Sequence, residues 1–134
     1  MVNISPTRDL MTSALKVLSQ FGIPVFDTED SDSAEYPQIS FYVENSSNNN
    51  ISKNEVRSAY TLCVDYYDIK NNNNDQMMDN CYEIKQLLQH LNLSNYNCRY
   101  SGYDDRTLTD TSTSQILRRY NLMIDYYISE RIVI

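Results

Sequence analysis

Two aspartates, Asp65 and Asp125, occupy the same place in a near-repeat: YTLCVDYYD (60–68) returns as YNLMIDYYI (120–128), with five identical positions. Paired carboxylates are standard equipment for general acid–base chemistry, one holding a proton while the other accepts one. If the two segments are neighbouring strands, the carboxylates could sit close together on the sheet face away from any helix. The plainer reading is that two similar strands meet the same helices. Each aspartate is then solvated, or paired with Arg57, Arg118 or Arg119. That reading is preferred, because polar residues alternate with apolar ones on any half-exposed strand. No catalytic residue is assigned.

The other chemistry-bearing residues are sparse. His90 is the only histidine and there is no Cys-x-x-Cys pair, so a structural zinc site is not expected. The acidic run Asp27, Glu29, Asp30, Asp32, Glu35 lacks the central glycine of a calcium loop. A register begun at Asp27 or Asp30 reaches Gln38 or Phe41 where a bidentate glutamate is required. Gly22 and Gly102 are the only glycines, too few for a phosphate-cradling loop. Nothing local brings Cys63, Cys81 or Cys98 to His90 as a nucleophile and base. The expectation is a protein that is not an enzyme and that holds no metal or cofactor.

The elements that would position these residues follow from periodicity. Ser5 can cap a first helix, with Pro6 in its first turn. Leu10, Met11, Ala14, Leu15, Leu18 and Phe21 form its apolar stripe, and Gly22 ends it. IPVF (23–26) and YPQISFYVE (36–44) read as strands, with Ile39, Phe41 and Val43 on one face. EVRSAYTLCVDYYDI (55–69) is a long strand. Val56, Tyr60, Leu62, Val64 and Tyr66 share one face, and Arg57, Thr61, Cys63, Asp65 and Tyr67 the other. A second helix carries Met77, Met78, Cys81, Ile84, Leu87, Leu88 and Leu91, with Asn92 as a left-handed C-cap. A hairpin completes the chain. Its first strand lies near Cys98 to Leu108, and the last is QILRRYNLMIDYYIS (115–129), marked by Leu117, Tyr120, Leu122, Ile124 and Tyr126. The order α–β–β–β–α–β–β implies an α+β fold, a mostly antiparallel sheet with both helices packed on one face. Residues 1–134 are expected to form a single domain, with flexible loops near 45–54, 70–75 and 103–114.

Composition narrows the partners. The net charge is −7 with only eleven basic residues scattered along the chain, which disfavours a grip on nucleic-acid phosphates. DNA could slide past such a protein without sticking. No run of eighteen apolar residues calls for a membrane span, and the N-terminus lacks the pattern of a signal peptide. Three widely spaced cysteines argue against a disulfide framework, so a reducing cytoplasm is the expected place of synthesis. The Asn-x-Ser sequons at Asn3, Asn45, Asn50 and Asn92 are then by-products of composition.

What remains are features suited to interaction. They are Asn48, Asn49, Asn50 and Lys53 in the first long loop, and Asp104, Asp105 and Arg106 in the second. Tyr67 and Tyr127, on the sheet face away from the helices, would be an odd aromatic pair to leave in water. The terminal Ile132, Val133 and Ile134 either extend the last strand along the core edge or pack on a neighbouring subunit.

The chain resembles, in layout and over nearly all its length, the tail terminator or tail-to-head joining proteins of long-tailed bacteriophages. The residues that carry the resemblance are a helix ending at FGIPVFD, an acidic turn and YPQISFYVE. They continue with YTLCVDYYD, the helix DNCYEIKQLLQHLNL and a closing RRYNLMIDYYI. The Asn-rich loops and the apolar last four residues are not part of the family pattern. The resemblance implies a structural virion protein, made in the host bacterial cytoplasm, that forms a hexameric ring on the finished tail tube. It would stop tube growth and present the docking surface for the head connector or stopper, while DNA passes through the channel. Partners would be further copies of itself in the virion, with a monomer when free, the tail tube protein and the head connector, with no membrane. Negative charge on the lumen would keep phosphates from sticking. A head-side connector or stopper subunit would share this size and charge. From another class, a small-ligand-binding α+β domain is the alternative.

Overall fold

The computed structural model describes residues 4–27, 35–52, 55–71 and 74–131, with residues 46–52 and 131 described in backbone only. The elements are α1 (Pro6–Leu18), a short 3-10 turn (Ser19–Phe21), β1 (Val25–Asp27), β2 (Gln38–Ser52) and β3 (Glu55–Ile69). They continue with α2 (Asp75–Gln89), β4 (Asn97–Asp110) and β5 (Leu117–Arg131). The five strands form one sheet in the order β1-β2-β3-β5-β4. Only β1 is parallel to its neighbour; every other pairing is antiparallel. This is the α+β order read from the sequence.

Local signals account for the helix ends. The Ser5 hydroxyl accepts from the Arg8 N–H at 3.1 Å, satisfying one of the donors that a helix start leaves open. Gly22 takes φ +68°, a left-handed conformation that glycine adopts without a Cβ clash, and stops the chain after the 3-10 turn. α2 ends earlier than its apolar stripe suggests. Its C-cap is His90 at φ −111°, and among the described residues no non-glycine has positive φ, so Asn92 is not the left-handed cap expected of it. Leu91 is buried beyond the helix end.

Both helices lie over one face of the sheet. Leu10, Ala14 and Leu18 of α1, and Met77, Cys81, Ile84 and Leu88 of α2, close over Ile39 and Phe41 of β2. They also cover Leu62 and Val64 of β3, and Leu122, Ile124 and Ile128 of β5. Each of the larger aliphatic and aromatic side chains among them, fully buried, contributes about 1.5–3 kcal/mol. Tyrosines extend this layer because their rings are apolar and their hydroxyls find partners. Tyr66 accepts from Asn80 Nδ2 at 3.0 Å, and Tyr126 donates to the Leu88 carbonyl at 2.5 Å, so both anchor α2 to the sheet. α1 is tied down separately. Buried Asp9 accepts from the backbone N–H and side-chain amide of Asn95 at 2.9 and 3.1 Å.

The near-repeat is resolved by register. β3 and β5 are direct neighbours, and the copies pair head to tail: Tyr60 with Tyr126, Leu62 with Ile124, Val64 with Leu122 and Tyr66 with Tyr120. Cys63 faces Met123 at the centre. The repeat is therefore a local two-fold, with each copy offering the same residues to the other.

Three sequence expectations need correction. Residues 45–52 are not loop: β2 continues to Ser52, past a bulge between Asn45 and Ser47, paired with β3 as far as the latter's first residue, Glu55. Residues 103–110 are likewise strand, so the polar loop between β4 and β5 is confined to 111–116. Leu117 is buried, but it lies on the opposite face from Tyr120 and the core, across from Ile69 and beside Tyr67 and Ser40. Residues 70–71 and 74 join β3 to α2, with the Asn74 amide donating to the Ile69 carbonyl at 3.2 Å.

Candidate assembly surfaces

The sheet face away from the helices carries alternate residues of β3 and β5. Asp65 is its hub. The carboxylate is nearly buried, and its Oδ1 accepts from Arg119 Nε at 2.8 Å and Asn121 Nδ2 at 2.9 Å. The hydrogen bond to Asp65 raises the Arg119 guanidinium above its ordinary pKa. Asp125 lies elsewhere: it accepts from the Thr61 hydroxyl at 2.6 Å. Asp65 pairs with Asn121 and Asp125 with Thr61, so four positions of register, roughly 13 Å, separate the two carboxylates. Neighbouring strands do not bring them together, and no acid–base pair forms.

Tyr67 and Tyr127, equivalent positions of the repeat, are each half-buried beneath an arginine. Arg119 lies 5.6 Å from the Tyr67 ring centroid, and Arg57 lies 4.7 Å from that of Tyr127. Such stacks attract the cation to the ring face, which answers why these aromatics can occupy an otherwise polar surface. Asp104 and Arg106 fall on this same face, opposite Met123 and Asn121.

Asp105 does not. β4 carries a bulge between Tyr100 and Gly102, an extra residue at Ser101 that shifts the alternation. Tyr100 and Tyr103 therefore both sit opposite helix-face residues of β5, Tyr126 and Ile124, and Asp105 sits opposite Leu122. There Asp105 accepts from Tyr120 Oη at 2.8 Å and pairs with Lys85 of α2 at 3.3 Å. Lys85 also lies 5.0 Å from the Tyr103 ring centroid. Burial pulls its pKa down, but the hydrogen bond and charge of Asp105 outweigh this and raise it. Beyond this polar clasp, α2 projects Met78 and Tyr82 into solvent, 58% and 63% exposed, beside a groove of about 170 Å³.

Of the residues singled out in the sequence, the structure thus gathers Tyr67, Asp104, Arg106 and Tyr127 on one face and sends Asp105 to the other. Asn48, Asn49 and Asn50 are paired along β2 with Ser58, Arg57 and Val56. Lys53, Ile132, Val133 and Ile134 lie outside the described residues. Sequence reasoning assigned Met78 to the core stripe of α2 and gave Tyr82 no role. The signal that separates them is angular: on a helix at 100° per residue they fall to one side of Met77, Cys81 and Ile84.

The thiols offer no nucleophile at neutral pH. Burial pushes Cys81 and Cys98 each up to about 12, and raises Cys63 as well. Among the described residues no cluster of three metal-ligating side chains occurs, and no helix is long and apolar enough to cross a membrane.

No family model matches the sequence, and no curated protein matches it. Solved structures do match. A chain described as "Virion of native gene transfer agent (GTA) particle" superposes with a TM-score of 0.54 at 13% identity, over 94% of this chain and 96% of that one. A second solved chain superposes with a TM-score of 0.52, also at 13% identity, over 92% of this chain and 96% of its own length. The fold, from first helix to last strand, is one that a virion component uses.

Proposed function

We propose that this chain is a structural subunit of a phage-type virion, which forms a ring on the finished tail tube, ends its elongation and joins the tail to the head connector. The observation that carries this reading is the agreement in fold, over nearly the full length of both chains, with a component of a gene transfer agent virion. The order of elements and segments described under the sequence supports the tail-terminating role in particular. The partners are other copies of the chain, the tail tube protein and a head connector or stopper protein. DNA passes through the ring, and a protein of net charge −7 gives its phosphates little to bind. The role is non-enzymatic. Asp65, the most enclosed acidic group of the outer sheet face, is committed to Arg119 and Asn121.

The test is electron microscopy of a lysate from a phage lacking this gene. DNA-filled heads beside unattached, overlong tails are expected. Normal tails beside leaking heads would instead assign the protein to the head side of the junction. Intact virions would overturn both.

A further inference from the structure

One end of the sheet face away from the helices gathers positive charge without an acid to balance it. Arg57 of β3 stands opposite Ser129 of β5, and Ser129 stands opposite Asn97 of β4. One row along, Arg99 of β4 stands opposite Tyr127. Arg57 leans over that same ring, 4.7 Å from its centroid, so the two arginines flank Tyr127. They border an open hollow of about 500 Å³, which Asn92, Asn97, Tyr127 and Ser129 also line and to which no aspartate or glutamate contributes. The ion pairs among the described residues are Asp65 with Arg119 and Asp105 with Lys85, so neither Arg57 nor Arg99 has one there. Arg57 Nε is enclosed and has no hydrogen-bond partner among the described residues. In a chain with eighteen acidic and eleven basic residues, two arginines left without an acid call for another counter-ion.

The geometry points to an oxyanion site: Arg57 and Arg99 hold one carboxylate or phosphate group between them, with the Ser129 hydroxyl and the Asn97 side-chain amide donating to its remaining oxygens. Strands β3 and β4 lie about 10 Å apart across β5, a span that two arginine side chains can close on one small anion. Guanidinium suits such a group because its planar fork donates in pairs. Stacking on Tyr127 fixes Arg57 before the ligand arrives, which lowers the ordering cost of binding. The ligand is a single group and not a polyanion. Beyond a Debye length of about 10 Å a DNA backbone meets a chain of the same sign. The net charge of −7 repels it, while contacts to one small group stay short-range.

The test is a titration of the full, isotope-labelled chain with sodium phosphate and, separately, sodium acetate, followed by NMR at an ionic strength held constant with sodium chloride. Saturable shifts of the backbone signals of Asn97 and Ser129 are expected, with a midpoint in the millimolar range. Arg99→Gln, at an exposed position that tolerates exchange, should weaken binding about tenfold, and Arg57→Gln should do the same. Arg106→Gln, on the same sheet face but outside the hollow, should leave it unchanged. Saturation by acetate alone would assign the site to a carboxylate, by phosphate alone to a phosphate group, and by both to their shared chemistry; each upholds it. Shifts that grow without saturating, or that persist undiminished in Arg99→Gln, would overturn it. So would a duplex oligonucleotide that binds more tightly than phosphate and is lost in Arg99→Gln, because the surface would then be a DNA contact. The site stands apart from the tail role, and the lysate experiment does not bear on it.

Discussion

Asp65 and Asp125 are the same residue of the same repeat, yet they stand in different energetic positions. Removing the Asp65 carboxylate strands the Arg119 guanidinium and the Asn121 amide, two partly buried donors. Asp65→Ala should therefore cost about 1–3 kcal/mol of unfolding free energy. Asp125 is exposed and loses a single hydrogen bond to Thr61, so Asp125→Ala should cost under about 1 kcal/mol. Urea denaturation of both variants checks this, and equal losses would refute the assignment of Asp65 as hub. The sequence leaves the partner of Asp65 among Arg57, Arg118 and Arg119. The choice of Arg119 needs the register of β3 on β5, a long-range property that no local pattern carries.

At the scale of elements, the two helices and the cores of the long strands were legible because each has one uninterrupted hydrophobic period. The hairpin beyond Asn45 was not. Asn and Ser favour turns when judged singly, but here their backbones are paired with β3, and pairing outweighs propensity. The bulge in β4 was hidden for a related reason: one extra residue reverses the alternation without any change in composition. Its register can be tested directly. Ser101 is the residue left over in the ladder, so deleting it leaves Tyr103 opposite Ile124 and Asp105 opposite Leu122, and the clasp to Tyr120 and Lys85 should survive. Asp105→Ala should remove that clasp and destabilise the protein by about 1–3 kcal/mol, read as a lowered midpoint in chemical denaturation. A Ser101 deletion as damaging as Asp105→Ala would overturn this register.

Taken as a whole, the molecule stores an alkaline sensitivity in its tyrosine- and cysteine-rich interior. Burial raises the acid groups of Cys81, Cys98, Tyr66, Tyr120 and Tyr126 above their ordinary values. The unfolded chain ionises these groups at lower pH than the folded one, so their stabilising contribution is complete below the unfolded thiol pKa of 9.0. For the two thiols it is lost as pH climbs from there to about 12. The melting temperature should be level in this respect below pH 9 and fall steadily above it. Thermal scans across that range decide the matter, and replacing Cys98 with serine should shallow the fall.

The local two-fold at Cys63 and Met123 has one more consequence, for chains that have not yet folded. β3 can recognise itself. Two β3 segments from different chains, run antiparallel about Cys63, would set Tyr60 against Tyr66, Leu62 against Val64 and Thr61 against Asp65, the pairings that β3 otherwise makes with β5. A nascent chain is thus chemically ambiguous between its own last strand and a neighbour's middle one until β5 emerges from the ribosome. In such a mispaired dimer two Cys63 thiols would face each other, so a strong reductant during concentrated refolding should raise the yield of monomer.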